Sequence, residues 1–224
     1  MALSTGLQRI GVPALLFSLF NSTQTPQCLL AHIFLLGHEK SADRYFVKAS
    51  GYSVTIQSVD IRSLPLLAGR PANTASNLLR FHLPELLSRG TERAVWMDVD
   101  MLVGCDVCRL VDRTFKALPQ RGIAAVPRSD NLPLSHFLSE KKIRKLGFGS
   151  ARADRMARAR AFNAGMIVLN LRLWRESNTT ERISALLRKL AHIGASRYRG
   201  QTPYGDLRVD MFEELAYEPE PAIR

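Results

Sequence analysis

Two carboxylates spaced two residues apart, Asp98 and Asp100, are the residues of this chain best suited to chemistry. They interrupt an apolar, valine-rich run over residues 94–103, which predicts a buried strand that continues into a loop. Alternate side chains of a strand share a face, so we expect the two carboxylates to lie together and to repel each other. A divalent cation that prefers oxygen ligands, Mn²⁺ or Mg²⁺, would relieve that repulsion. The alternative is that the two carboxylates only solvate the end of the strand.

Helices and strands alternate around these carboxylates. Apolar periodicity predicts a helix over 6–21, strands over 29–36 and 54–56, a helix that opens at 73–77 and carries apolar residues over 78–87, strands over 122–126 and 166–171, and a helix over 179–190. This alternation predicts an α/β sandwich built on a mostly parallel central sheet. Ligands of such sheets bind beyond the carboxyl ends of the strands, where Asp98 and Asp100 are expected.

Two further positions could contact a ligand held by these carboxylates. Arg80 lies on the helix that precedes the acidic strand, so it either reaches a phosphate bound with the metal or is simply solvated. Asn163, Ala164 and Gly165 precede an apolar strand, and small residues there allow a ligand to approach the backbone closely. The Asn163 amide could donate and accept hydrogen bonds, although the same three residues could also form a plain turn.

A strongly basic stretch lies between the two apolar strands of the second half. Residues 141–160 contain eight basic residues and one acidic residue, Asp154. Such a stretch suits a phosphate-bearing or acidic partner, or it is a solvated and mobile surface loop. Few aromatic residues are interleaved with the charges, so we do not expect a nucleic-acid partner.

Composition is that of one globular domain. The chain has 224 residues, 46% of them hydrophobic and 23% charged, with a formal net charge of +11. No repeat and no linker are evident, and no apolar stretch is long enough to span a bilayer. Three cysteines do not make a disulfide framework, and the Cys-x-x-Cys at Cys105 and Cys108 lacks the second pair that a structural zinc site needs. We therefore expect reduced thiols.

Two blocks of this sequence resemble glycosyltransferase family 8, which includes glycogenin, bacterial lipopolysaccharide galactosyltransferases and plant galacturonosyltransferases. The first block covers residues 73–103, with Arg80 ahead of Trp-Met-Asp-Val-Asp at 96–100. The second covers residues 162–176, Phe-Asn-Ala-Gly-Met-Ile-Val-Leu-Asn-Leu followed by Arg-Leu-Trp-Arg-Glu. The two blocks occur in the family's order, and the likeness extends over roughly residues 8–215.

This resemblance implies a GT-A type, Rossmann-like fold and a hexosyltransferase that uses a nucleotide sugar, usually a UDP-sugar, with manganese and with retention at the anomeric carbon. Asp98 and Asp100 would hold the metal, and the Val99 backbone would lie near the nucleoside. Arg80 would steady the phosphates or the sugar of the donor. Asn163, Ala164 and Gly165 would frame the donor sugar and the approach of a carbohydrate or glycoconjugate acceptor.

The resemblance also implies a catalytic segment near the C-terminus. Gly205-Asp206-Leu207 aligns with the family's Gly-Asp-Gln, so Asp206 is kept while Leu207 replaces the glutamine. Asn163 and Asp206 are the candidate catalytic residues. The family's opening strand is not evident before Gly6, and its late histidine motif is not found. We therefore expect residues 1–224 to form a single glycosyltransferase-like domain that is incomplete at both ends.

Two other functions fit parts of the pattern. Haloacid-dehalogenase-type phosphatases also carry an apolar strand that ends in Asp-x-Asp, with the first carboxylate as nucleophile. That class gives no role to the Asn163-Ala164-Gly165 block. A family member that has lost turnover and acts as a binding protein is the second alternative.

Overall fold

The structure is a computed structural model that describes residues 2–3, 6–37, 44–49, 51–64, 78–117, 122–127, 132–160 and 162–192. Its strands are β1 (Ala2–Leu3), β2 (Leu30–Gly37), β3 (Arg44–Ala49), β4 (Tyr52–Asp60), β5 (Arg93–Met97), β6 (Ile123–Pro127) and β7 (Phe162–Asn170). Its α-helices are α1 (Gly6–Ser22), α2 (Leu83–Leu86), α3 (Val107–Ala117), α4 (Leu134–Phe137), α5 (Glu140–Lys145), α6 (Ser150–Arg158), α7 (Leu171–Glu176) and α8 (Thr179–His192). Within these residues no helix is both long and apolar enough to cross a membrane.

The strands form two sheets, and the predicted α/β class is confirmed. The first sheet has the order β1-β2-β4-β3, in which β1, β2 and β4 are parallel and β3 is antiparallel. The second sheet has the order β5-β7-β6 and is antiparallel throughout. The predicted parallel pairing is therefore confined to the first sheet. Apolar content alone indicates that a strand is buried and does not indicate its direction.

Apolar side chains fill the space on both faces of β5. Trp96 packs into the main core, a cluster that also contains Phe34, Phe81, Ile167 and Trp174. The neighbouring residue Met97 points the other way and packs with Leu15, Leu19 and Val107, which we call the α1 cluster. This alternation is expected of a strand covered on both faces, and it fixes the direction in which β5 delivers the residues that follow it.

Several predicted elements have different bounds in the structure. The acidic strand ends at Met97, so Asp98 and Asp100 lie in the following loop and turn, where strand alternation does not set their direction. The basic stretch is largely helical, in α5 and α6, because Ile143, Ala153 and Met156 are buried. The predicted helix start at 73–77 lies outside the described residues. It is followed by a 3₁₀ helix over Leu79–His82 and then by α2.

Helix α1 lies directly against the loop after β5. A Cβ atom added at Gly11 would lie 2.3 Å from the carbonyl oxygen of Val99, so only glycine permits this approach. Further along the helix, the Ser22 hydroxyl donates to the Val103 carbonyl at 2.7 Å, and the Val103 N–H donates to the Ser18 hydroxyl at 3.0 Å. The loop that carries the two carboxylates is therefore held along the length of α1.

A disulfide joins Cys28 and Cys108, whose Cα atoms lie 6.4 Å apart. The expectation of reduced thiols is therefore wrong for these two residues, while Cys105 is an exposed free thiol. The partner of Cys108 lies 80 residues away in sequence, and no local pattern reveals it. The bond ties the first turn of α3 to the segment that leads into β2.

Replacing Gly11 by alanine is predicted to destabilise the protein. Alanine is favoured over glycine within a helix by about 1 kcal/mol. Because its Cβ would overlap the Val99 carbonyl, we expect a net loss of about 1–2 kcal/mol in the free energy of urea-induced unfolding. Gly90→Ala is the control, since nothing lies within 4 Å of its added Cβ. A stabilised Gly11→Ala variant would show that α1 does not lie against this loop.

Loss of the disulfide is predicted to cost more than loss of the free thiol. Cys28→Ser opens an 80-residue covalent loop, so the free energy of unfolding should fall by about 2–4 kcal/mol. Cys105→Ser removes an exposed thiol and should change it by less than about 0.5 kcal/mol. Urea unfolding of both variants under non-reducing conditions measures the difference. Equal stability of the two variants would contradict the bond.

Candidate active site

The two sequence blocks meet at the end of β5. The Asp98 N–H donates to the Gly165 carbonyl at 2.7 Å, which extends the pairing of β5 with β7 by one residue beyond Met97 and Met166. Asp98 is half-buried and Asp100 is exposed. The acidic loop and the Asn163-Ala164-Gly165 segment are therefore neighbours in space, although more than sixty residues separate them in sequence.

An irregularity in β7 shapes this meeting point. Ala125 of β6 pairs with Ile167 and the next residue, Val126, pairs with Asn163, so residues 164–166 form a bulge without partners on β6. The sequence predicted that residues 163–165 precede the strand or form a turn, whereas they belong to the strand. Bulges of this kind occur near active sites, where they redirect the chain and its side chains.

Little space surrounds the Cα atom of Gly165 within the bulge. Its N–H donates to Asn163 Oδ1 at 2.8 Å. A Cβ at position 165 would lie 3.1 Å from that oxygen and 3.4 Å from Asp98 Oδ2. A side chain there would press on both polar groups, so the absence of one lets the Asn163 amide and the Asp98 carboxylate approach the same spot.

The Trp96 indole contacts the Asp98 carboxylate, and the buried Arg80 guanidinium stacks on that indole. Trp96 Nε1 donates to Asp98 Oδ1 at 2.9 Å. The guanidinium of Arg80 lies over the Trp96 ring, 5.1 Å from its centroid, and the Arg80 side chain is fully buried. Arg80 therefore connects to the loop through Trp96. From the sequence, Trp96 was noted only as part of the first family block. Its indole N–H gives it the role of orienting the Asp98 carboxylate.

The far end of the acidic loop is fixed by Asp106. Its Oδ2 accepts from the Gln24 N–H at 3.0 Å and its Oδ1 from the Arg109 N–H at 3.1 Å, which caps the start of α3. These backbone donors, Gln24 first, hold the pKa of Asp106 below its ordinary value. The charged carboxylate therefore stays in place across the neutral pH range and loses this role only as the pH falls through that lowered pKa.

The end of the second block has a structural role. Arg175, in α7, donates to four backbone carbonyls of the segment that leads into β5, those of Pro84, Ser88, Arg89 and Thr91, at 3.2, 3.1, 3.3 and 2.8 Å. This guanidinium pins the entry to β5. Arg175 of the second block thus supports the acidic strand. Sequence reasoning could not distinguish this structural role from a contact with a ligand.

The structure brings most of the predicted positions together. Asp98, Val99 and Asp100 lie on the loop, Ala164 and Gly165 lie on the bulge with Asn163 just before it, and Arg80 lies beneath them. Asp206 lies outside the described residues. In the described part of the chain, no group of three or more His, Cys, Asp or Glu side chains could hold a metal ion.

Known proteins resemble this chain in sequence. Residues 38–207 match the family model described as "Glycosyl transferase family 8". A curated protein of Arabidopsis thaliana, "Probable galacturonosyltransferase-like 3", is 25% identical over 185 residues, which are 80% of this chain and 52% of that protein. The chain thus spans about half the length of this curated relative.

Solved structures share the fold. The galactosyltransferase LgtC, crystallised with donor and acceptor sugar analogues, has a TM-score of 0.60 at 18% identity and covers 96% of this chain and 69% of its own. Mouse xyloside xylosyltransferase 1, in its apo form, has a TM-score of 0.55 at 12% identity, with 92% and 76% covered. These likenesses confirm the predicted GT-A type fold. Because the family model matches well over half of its residues, the chain belongs to glycosyltransferase family 8.

Proposed function

We propose that this chain transfers a hexosyl residue from a nucleotide sugar, a UDP-sugar, to a carbohydrate or glycoconjugate acceptor, with retention of configuration and with assistance from Mn²⁺ or Mg²⁺. The observation that carries the proposal is the hydrogen bond from the Asp98 N–H to the Gly165 carbonyl. It brings together the acidic and amide-bearing segments that such a transfer needs.

The donor set fits a cation that is shared with a diphosphate. Two carboxylates supply hard oxygen ligands, and Mg²⁺-type cations are usually bound in proteins by one or two carboxylates together with substrate phosphates. A bound cation would neutralise the charge that develops on a departing nucleoside diphosphate.

Asp98 is the better-positioned of the two proposed metal ligands. Its amide is fixed by Gly165, and its carboxylate is oriented by the indole of Trp96. Asp100 is exposed on the turn and would complete the pair from the solvent side. Arg80 is fully buried, so we propose that it acts on the donor as a positioning residue, by holding the Trp96 ring, rather than by touching the phosphates.

The bulge would frame the donor sugar. Asn163 is exposed, and since Oδ1 accepts from the Gly165 N–H, the side-chain NH₂ is the group that would donate to a sugar hydroxyl. Gly165 and Ala164 would let the sugar approach the backbone. Asp206 remains a proposed catalytic residue from the family resemblance.

Membership in the family favours transfer over the phosphatase alternative, which gives the bulge no task. A binding protein without turnover remains the second candidate. It shares the proposed donor site, so an experiment must separate binding from transfer.

Asp98→Asn and Asp100→Asn are predicted to lower Mn²⁺-dependent turnover of UDP-sugars at least 100-fold, since a metal ligand contributes several kcal/mol to transition-state stabilisation. Hydrolysis and transfer are followed with a panel of UDP-sugars, and UDP binding is followed by calorimetry with and without Mn²⁺. Asp112→Asn is the control. Its carboxylate is exposed and pairs with Arg93 away from the loop, so activity should change less than about twofold.

The possible outcomes separate the candidates. Turnover that Asp98→Asn leaves unchanged would overturn the transferase proposal. Mn²⁺-dependent UDP binding that Asp98→Asn abolishes, without turnover by the unaltered chain, would favour the binding protein. Thermal unfolding of each variant shows whether it is folded when activity is measured.

We further propose that the acceptor is acidic. The exposed basic residues of α5 and α6 include Lys141, Lys145 and Arg158, and in sequence this segment shortly precedes β7, whose second residue is Asn163. Arg144 is already paired with Glu140 and Asp154, and Arg152 stacks on Phe148 at 4.8 Å. The charge left for a partner therefore comes mainly from the exposed residues around these pairs.

Replacing Lys141, Lys145 and Arg158 together by glutamine is predicted to raise the KM for an acidic oligosaccharide, such as an oligogalacturonide, about fivefold or more at low salt. The KM for a neutral maltooligosaccharide should stay unchanged. A triple variant at exposed Arg113, Arg182 and Arg188 removes the same charge elsewhere and serves as the control. Equal effects of the two triple variants would remove the proposal.

A further inference from the structure

Two large apolar side chains project into solvent from neighbouring segments. Phe17 of α1 is 74% exposed, and Leu102, in the loop after β5, is 76% exposed. The residues that follow them are joined, because the Val103 N–H donates to the Ser18 hydroxyl at 3.0 Å. The two segments are therefore in contact. Side chains exposed to this degree stand out from a surface and do not line a groove.

Helix α1 offers an uncharged outer surface around Phe17. The sequence contains no Asp, Glu, Lys or Arg over residues 10–38. Pro13 and Ala14, one turn before Phe17, are exposed as well. This surface therefore presents apolar groups to water without charges that would have to be desolvated with them, and it would be stabilised by leaving water.

Helix α3 adds positive charge on the same side of β5. Buried residues of both helices form the α1 cluster around Met97, so α1 and α3 cover the same face of β5 and their outer sides point away from it. Three exposed basic residues at helical spacing follow the outer side of α3: Arg109, Arg113 and Lys116. We call this group the basic stripe, and the stripe together with Phe17 and Leu102 the α1–α3 face.

Acidic groups do not cancel the charge of this face. Helix α1 contains no acidic residue, and α3 contains only Asp112, whose carboxylate pairs with Arg93 at 3.1 Å. Asp106, ahead of α3, accepts from two backbone N–H groups. Asp100 is exposed, but the basic stripe outnumbers it. The α1–α3 face is therefore apolar at its centre and carries a net positive charge.

We infer that the α1–α3 face docks the protein on an anionic lipid surface, with Phe17 and Leu102 among the headgroups and the basic stripe against lipid phosphates. A fluid surface shapes itself around projecting apolar side chains, and Arg and Lys gain from the negative potential of anionic headgroups. A second copy of this chain suits the face less well, since a symmetric contact would bring two basic stripes together. Docking would hold the acidic loop beside the membrane. This inference does not depend on the proposed function.

A tryptophan reporter tests whether this face meets the lipid. Both native tryptophans, Trp96 and Trp174, are buried, so Phe17→Trp adds an exposed one. With vesicles of phosphatidylcholine that contain about 30% phosphatidylglycerol, we expect the emission of this variant to shift to the blue by about 10 nm or more. Ala151→Trp places the same reporter on the exposed side of α6, in the other basic segment, and its emission should not shift.

Co-sedimentation with the same vesicles separates the apolar contribution from the charge. At about 100 mM salt, the unaltered chain should bind them at least about tenfold more tightly than vesicles of phosphatidylcholine alone. Phe17→Ser should weaken binding about fivefold or more, whereas Phe17→Leu keeps an apolar side chain and should retain most of it. Replacing the basic stripe by glutamine should weaken binding about tenfold. The same replacement at Lys141, Lys145 and Arg158 removes equal charge elsewhere and should change binding less than about twofold.

Several results would overturn the inference. These are equal emission shifts for the two reporters, no shift for Phe17→Trp, binding that Phe17→Ser leaves unchanged, or equal losses for the two triple variants. Dimerisation of the unaltered chain in sedimentation velocity that Phe17→Ser abolishes would assign the face to a second copy. RNA that displaces the vesicles and binds Phe17→Ser as tightly as the unaltered chain would assign the basic stripe to a nucleic acid. Circular dichroism shows that each variant is folded, and the reporter variant gives an independent result if a triple variant is not.

Discussion

The hydrogen bond between the Asp98 amide and the Gly165 carbonyl is the contact on which the geometry of the candidate site depends. It forms because β5 and β7 are neighbours in an antiparallel sheet whose register places Asp98 opposite Gly165. On the other side of β7, residues 164–166 have no partners on β6. The site therefore combines a regular β5–β7 pairing with one irregularity between β6 and β7.

Two arginines, one fully buried and one half-buried, hold this arrangement in place. The Arg80 guanidinium stacks on Trp96, whose N–H binds Asp98, and the Arg175 guanidinium binds the carbonyls ahead of β5. Removing the buried Arg80 cation from water is costly, and the Trp96 ring compensates part of that cost. The half-buried Arg175 is held instead by several carbonyls. Both arginines act on the same strand, one beneath its end and one before its start, and the strand is thus fixed where it enters and leaves the sheet.

Long periodic elements were predictable from sequence, whereas contacts between distant segments were not. The apolar spacing over residues 6–21 and 179–190 predicted α1 and α8, and short apolar runs predicted β2, β6 and β7. Helix α3 was not predicted, because its apolar residues with helical spacing, Val107, Leu110 and Val111, extend over little more than one turn. Strand β3 was missed because Arg44 and Lys48 break up its short apolar centre.

In the candidate site too, local features were predictable from sequence and contacts between distant segments were not. The types and spacing of Asp98 and Asp100 pointed to the loop after β5, and the resemblance supplied Asn163 and Gly165. The fit of Gly11 against Val99 depends on how a helix far away in sequence packs on that loop, and no local pattern encodes it. The direction of the β5-β7 pairing is likewise decided by tertiary packing, since an apolar strand can be buried in either orientation.

The bulge also limits where the length of this chain can change. Strand β7 is paired on both sides over residues 167–169, so deleting one residue there would exchange its inward and outward side chains against β5 and β6 at once. Residues 164–166 have no partners on β6, so an added or lost residue there leaves the pairing of residues 167–169 with β6 unchanged, although Gly165 and Met166 still contact β5. A change of length at the bulge would therefore alter the shape of the candidate site while the rest of the sheet keeps its register.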